Sequence, residues 1–152
     1  MPIGSRRISC AILTSMALFT QASLAATPSP TALACPASIQ LSSAHLEASG
    51  LPTGTTLSVD RTPLPLSGSN VFSGPPEQAG ALMPTATTKG KGGNRAVWEF
   101  EGSYPEGKFI SCDYAGGTVR VVRRVDDAAK RCTSTSSTTK NPPALQTQFQ
   151  CE

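Results

Sequence analysis

Four cysteines constrain this chain more than any other feature: Cys35, Cys112, Cys132 and Cys151. A fifth, Cys10, sits inside an N-terminal apolar run that reads as an export signal. An even set of thiols in an exported chain of this size points to two disulfides, with three connectivities open. Metal ligation needs close pairs such as Cys-x-x-Cys, and the sequence has none. A reactive thiolate needs a base beside it, and His45 is the only imidazole.

The export reading rests on the first 25 residues. Arg6 and Arg7 form a cationic start, and Ile8 to Phe19 is a mostly apolar run of twelve residues. That run is short for a membrane span. Ser23-Leu24-Ala25 places small residues at −3 and −1, which predicts a signal peptide over 1–25 cleaved after Ala25. Ala32-Leu33-Ala34 before Cys35 has a superficial lipobox look. Its Leu is at −2 rather than −3, and Thr27-Pro28-Ser29-Pro30 separates it from the apolar run, so no lipid or other stable membrane anchor is expected after cleavage. The whole chain carries thirteen Lys+Arg against ten Asp+Glu, and losing Arg6 and Arg7 leaves eleven against ten. A near-neutral domain lacks the basic footprint of a nucleic-acid binder.

Strand periodicity narrows the cysteine pairing. Leu145, Thr147, Phe149 and Cys151 alternate with Gln146, Gln148, Gln150 and Glu152, the pattern of a half-buried strand. Cys132 to Thr139 precedes it, and Lys140-Asn141-Pro142-Pro143 reads as the turn between. An antiparallel hairpin puts Cys132 opposite Cys151 with parity intact. Cys132–Cys151 is therefore the preferred bridge, and Cys35–Cys112 follows by elimination.

A second hairpin is predicted over 108–125. Gly116-Gly117 supplies the positive φ angles of a tight turn. In the resulting register Tyr114 opposes Val119, Cys112 opposes Val121, and Asp113 opposes Arg120 on the other face. Phe109 would oppose Arg124 as a cation–π pair. A slip by one residue would turn Tyr114 outward.

Elsewhere the signals are coarser. Residues 26–34 read as a flexible leader and 35–152 as one disulfide-stapled β domain. Strands are expected at Pro36–Leu41, at Leu51–Val59 interrupted by Gly54, briefly around Asn70-Val71-Phe72, and at Ala96–Phe100. Gly74-Pro75-Pro76-Glu77 predicts a hard turn opening a short helical turn, followed by an apolar patch at Ala81-Leu82-Met83. Thr85–Asn94 reads as an exposed glycine-rich loop. The expected architecture is mainly β, with about six or seven strands in a small antiparallel sandwich or open barrel. Hairpin 108–125 should be central, and Trp98 and Phe100 should pack with Ile110, Tyr114, Val119, Val121 and Phe149.

Catalytic patterns are sparse. There is no Gly-x-Ser-x-Gly elbow, and any Ser–His system would depend on His45 alone. Glu99 with Glu101, and Asp126 with Asp127, are the candidate carboxylate pairs for glycoside chemistry. The Lys89–Arg95 stretch lacks the P-loop pattern, although its amides could cradle an anion. No cofactor is implied. Phe109, Arg120, Val122 and Arg124 fall on the outward face of the 108–125 hairpin. They combine apolar and guanidinium groups in the manner of a protein-binding surface.

The order Cys35-Pro36, Gly74-Pro75-Pro76-Glu77, Leu82-x-Pro84, Trp98-x-Phe100, Cys112-x-Tyr114-x-Gly116, Cys132 and Cys151 resembles a family of small exported bacterial proteins known mainly as hypothetical proteins. The resemblance implies an envelope location, periplasmic or secreted, and a self-contained disulfide domain. It supplies no catalytic residues. Relatives encoded near interbacterial toxin-secretion loci imply an immunity-type inhibitor. The sequence thus favours a non-enzymatic module that binds a protein partner in the envelope. The competing expectation is a secreted hydrolase of unrecognised type using His45 or a carboxylate.

Overall fold

The computed structural model describes residues 30–42, 48–78 and 80–152. Nine strands occur among them: β1 Thr31–Ala34, β2 Ser38–Ile39, β3 Leu64–Ser73, β4 Ala86–Gly90, β5 Gly93–Glu99, β6 Lys108–Tyr114, β7 Val119–Val125, β8 Arg131–Lys140 and β9 Pro143–Cys151. They form two antiparallel sheets, ordered β1-β9-β8-β5-β4 and β2-β3-β6-β7. A sheet with one apolar face must bury it, and here each sheet covers the other. The result is the expected sandwich rather than a barrel.

Both predicted hairpins form in the expected register. Tyr114 pairs with Val119, Asp113 with Arg120, Cys112 with Val121 and Phe109 with Arg124. The turn takes positive φ at Gly116 (66°) and Gly117 (92°), and Thr118 N–H donates to Ala115 O at 3.3 Å. In the other sheet Cys132 lies opposite Cys151, and the two are bridged. The second disulfide joins Cys35 to Cys112. Cys35 follows β1 of one sheet and Cys112 lies within β6 of the other, so this bridge ties the layers together. It also occupies the sulfur that a lipid would need.

Several local expectations are corrected. Thr31–Ala34, assigned to the flexible leader, is an edge strand paired with β9 from Thr31↔Cys151 to Ala34↔Gln148. The strand expected at 36–41 shrinks to Ser38–Ile39, and none forms at 51–59. The brief strand at 70–72 is the end of a ten-residue one, β3. Thr85–Asn94 is exposed as expected, but it supplies β4 and the start of β5, joined at Gly90↔Gly93. All five residues of β4 are exposed. A strand with no buried face leaves no alternation to read. The 108–125 hairpin is only half central, because β6 is internal while β7 is an edge strand.

The core divides in two. Trp98, Phe100, Ile110, Val71, Val125 and Phe149 gather around the Cys132–Cys151 bridge. Leu66, Cys112 and Tyr114 form a second cluster with Val119, Val121 and Leu145 against it. Tyr114, Val119 and Val121 therefore do not join the Trp98 cluster as expected, whereas Ile110 and Phe149 do. Leu33 and Cys35 touch both clusters. Trp98 and Phe149 meet with ring centroids 6.2 Å apart, and the indole N–H donates to Leu82 O at 3.0 Å. One open side of the sandwich is closed by Arg123 of β7, whose Nη1 donates to Ala32 O of β1 at 2.8 Å.

Tyr114 is fully buried, and its hydroxyl donates to Pro36 O at 2.8 Å. Burial pushes its phenol above the ordinary value of 10.0. The unfolded chain therefore loses this proton first as pH rises past about 10, and stability drains away by up to about 1.4 kcal/mol per pH unit. Lys108 acts in the opposite sense, since its pKa is lowered in the fold by burial. Tyr114→Phe should cost about 1 kcal/mol at neutral pH and remove the tyrosine's share of the alkaline decline. Urea unfolding at pH 8 and above pH 10 checks this; equal pH dependence in the two proteins would refute the assignment.

Candidate protein-binding face

Alternation along β6 and β7 decides what the second sheet presents to solvent. Ile110, Cys112 and Tyr114 point inward and are fully buried. Phe109, Ser111 and Asp113 point the other way, beside Arg124, Val122 and Arg120 of β7. The sandwich interior takes the first set; the second lies on the other face, where Ser111 and Asp113 are themselves buried while the β7 side chains reach solvent. Val122 is 39% exposed. The side chains of Arg120 and Arg124 are 35% and 58% exposed, and Phe109 is half-buried.

The β3–β6 half of the same face is covered locally. Phe72 is buried, and the Arg120 guanidinium lies 5.3 Å from its ring centroid. Asp113 is 5% exposed. It accepts hydrogen bonds from Ser111 Oγ at 2.6 Å and from Asn70 Nδ2 at 2.5 Å, and Arg120 Nε stands 3.5 Å away. A buried carboxylate persists when its oxygens are satisfied in this way. Arg120 is thus pinned between an anion and a ring. The 3-10 turn Pro76–Gln78 borders it, and Pro76, Glu77, Thr118, Arg120 and Val122 line a depression of about 200 Å³.

Arg124 does not stack on Phe109. Its Nη2 pairs with both oxygens of Asp127, at 2.9 and 3.1 Å, because Asp127 lies three residues along on the turn after β7. Gly107 lets the guanidinium pass. It adopts φ +85°, and a Cβ there would stand 2.8 Å from Arg124 Nε. The cation–π partner in fact is Arg120 on Phe72, a cross-strand meeting that needed the full length of β3 to be known. The Asp113–Arg120 register was legible in the sequence; the contributions of Asn70 and Ser111 were not.

The candidate catalytic groups are accounted for differently. His45 lies outside the described residues. Glu99 Oε1 stands 3.1 Å from Arg131 Nε as an ion pair, and Glu101 is exposed. Asp126 Oδ1 accepts from Ala128 N–H at 2.8 Å, holding the turn after β7. Asp127 is taken by Arg124. The glycine-rich Lys89–Arg95 stretch is a strand hairpin rather than an anion cradle. Among the described residues no group of three or more His, Cys, Asp or Glu could hold a metal ion. No helix there is long and apolar enough to cross a membrane.

A rigid, disulfide-braced sandwich presenting an Arg- and Val-bearing sheet face is the build of a small protein-binding module. The chain belongs to the type VI secretion system Tli immunity protein family, whose model matches residues 61–152. The matched region runs from just before β3 to the end of β9, and so contains the whole candidate face. Membership makes the protein a non-enzymatic immunity module that acts by binding an effector protein, in line with the expectation from the sequence. No curated protein matches the chain, and no solved structure does.

Proposed function

We propose that this protein is exported, cleaved after Ala25, and neutralises its effector in the periplasm by masking it with the outer face of the β6–β7 hairpin. The two disulfides support an oxidising compartment. The observation that carries the choice of face is the exposure of Arg120, Val122, Arg124 and part of Phe109 on one rigid sheet surface. Regular strands hold side chains more precisely than loops do. Arg and aromatic groups set in a packed surround are the usual anchors of tight interfaces. Arg120 is pre-ordered by Asp113 and Phe72, so binding would cost little further side-chain entropy.

The test is effector binding by calorimetry with purified partners. Val122→Asp combined with Arg124→Glu alters two exposed side chains, neither of which is bonded to Asp113. Affinity should fall at least tenfold, which is about 1.4 kcal/mol, with circular dichroism unchanged. Unaltered affinity would remove this face from the interface.

A further inference from the structure

The region beside that face contains a lysine with an unusual environment. Lys108 opens β6 on the inward face, in phase with Ile110 and Cys112, and is only 4% exposed. Its ammonium donates to Ala129 O at 2.7 Å and to Asp127 O at 3.0 Å. It stands 4.9 Å from the Phe100 ring centroid and 5.6 Å from that of Tyr104. Among the described residues no carboxylate comes within ion-pair distance of it. An ammonium has three donors, and the third has no oxygen partner there. Lys108 lines a cavity of about 350 Å³ together with Ser103, Tyr104, Asp127 and Lys130.

We propose that this end cavity is a receptor for a carboxylate, supplied by an Asp or Glu side chain of the effector, with Lys108 as the buried cation that receives it. The proposal rests on the immunity reading for its partner, but the pocket itself can be tested without one. Carbonyls and ring faces hold this buried ammonium while the Asp126 and Asp127 carboxylates act on it only from beyond ion-pair distance, so an entering anion would supply a direct counter-ion. Lys130 adds a second positive charge on the wall. Asp126 and Asp127 lie close enough to influence Lys108, which favours a singly charged carboxylate over a doubly charged phosphate. Asp127 is also the partner of Arg124, so the cavity adjoins the proposed binding face and one effector surface could reach both.

The experiment is a titration of the folded protein with acetate, followed by NMR of ¹³C-labelled lysines and of the Ser103 and Tyr104 amides. Chloride at equal ionic strength is the control. Acetate should shift the Lys108 and cavity signals saturably, with half-saturation on the order of 10 mM. It should also raise the Lys108 pKa, since an adjacent anion favours the charged form. Lys108→Met should abolish the amide shifts. If that variant does not fold, Lys130→Gln at the cavity wall should weaken the response severalfold. Shifts that are linear, or identical with chloride, overturn the proposal. Phosphate binding more tightly than acetate overturns the choice of carboxylate. A failed acetate titration alongside intact effector binding, itself sensitive to Val122 and Arg124, would sink the pocket and leave the immunity reading standing.

Discussion

Removing the Cys35–Cys112 bridge by a double alanine substitution is expected to lower the unfolding free energy by about 4.5 kcal/mol, on the loop-closure account. The bridge spans 77 residues of sequence. Cross-linking so long a loop removes many unfolded conformations. The Cys132–Cys151 bridge spans 19, and the same account gives about 3 kcal/mol for it. A small domain has a net stability of roughly 5–15 kcal/mol, so losing both should leave the chain at or near unfolding. The order of the two effects is the sharper expectation. Cys132 and Cys151 already face each other within a hairpin with a short connection. Without its bridge, Cys35 would be held to the opposite sheet by packing, by the Tyr114–Pro36 and Leu66–Ala37 hydrogen bonds and by the short β2–β3 pairing that follows it. Guanidinium unfolding of the two double variants measures both values. A larger loss from the 132–151 pair would show that loop closure does not govern this fold.

The second large effect is expected from Asp113→Ala, at about 3 kcal/mol. The substitution strands Asn70 Nδ2 and Ser111 Oγ, both hydrogen-bonded to the carboxylate, and Ser111 is fully buried. It also deprives Arg120 of its anion, but that side chain is about a third exposed, so solvent screens most of the ion-pair term. The loss therefore comes mainly from unpaired buried polar groups. Asp113→Asn keeps the shape and one carbonyl acceptor and should cost about half as much. Denaturant midpoints separate the three proteins. A cost below about 0.5 kcal/mol for the alanine variant would place the network among ordinary surface contacts. Arg120 would then need another explanation for its position over Phe72.

Both expectations trace to β6, and that strand shows what a sequence can and cannot disclose. Its inward and outward sets follow from strict alternation, so the register with β7 was legible residue by residue. The inward position of Lys108 was legible too, because it shares parity with Ile110 and Cys112. A cation on the core face was a signal that sequence reasoning passed over. Phe72 was different. Its strand hid among prolines and glycines, and the register sets Phe72 in line with Phe109 and Arg124, so the reach of Arg120 to its ring is a diagonal contact that only the folded sheet shows. The leader was misjudged for a related reason. Thr31–Ala34 has too few residues for a periodic pattern, and its strand conformation comes from the β9 edge it joins.

The sequence by itself determined the two cysteine pairs, the two hairpins and the outward set Phe109, Arg120, Val122 and Arg124. The hairpins, the Cys132–Cys151 pair and the outward set follow from side-chain parity across a short turn, which is local information, and Cys35–Cys112 then follows by elimination. Only the tertiary structure decided that β1 closes one sheet edge, that the core splits in two, and that Lys108 meets Phe100, Tyr104 and two carbonyls. Those contacts join segments far apart in the chain, and their partners are chosen by how two twisted sheets face each other rather than by any pattern along one strand.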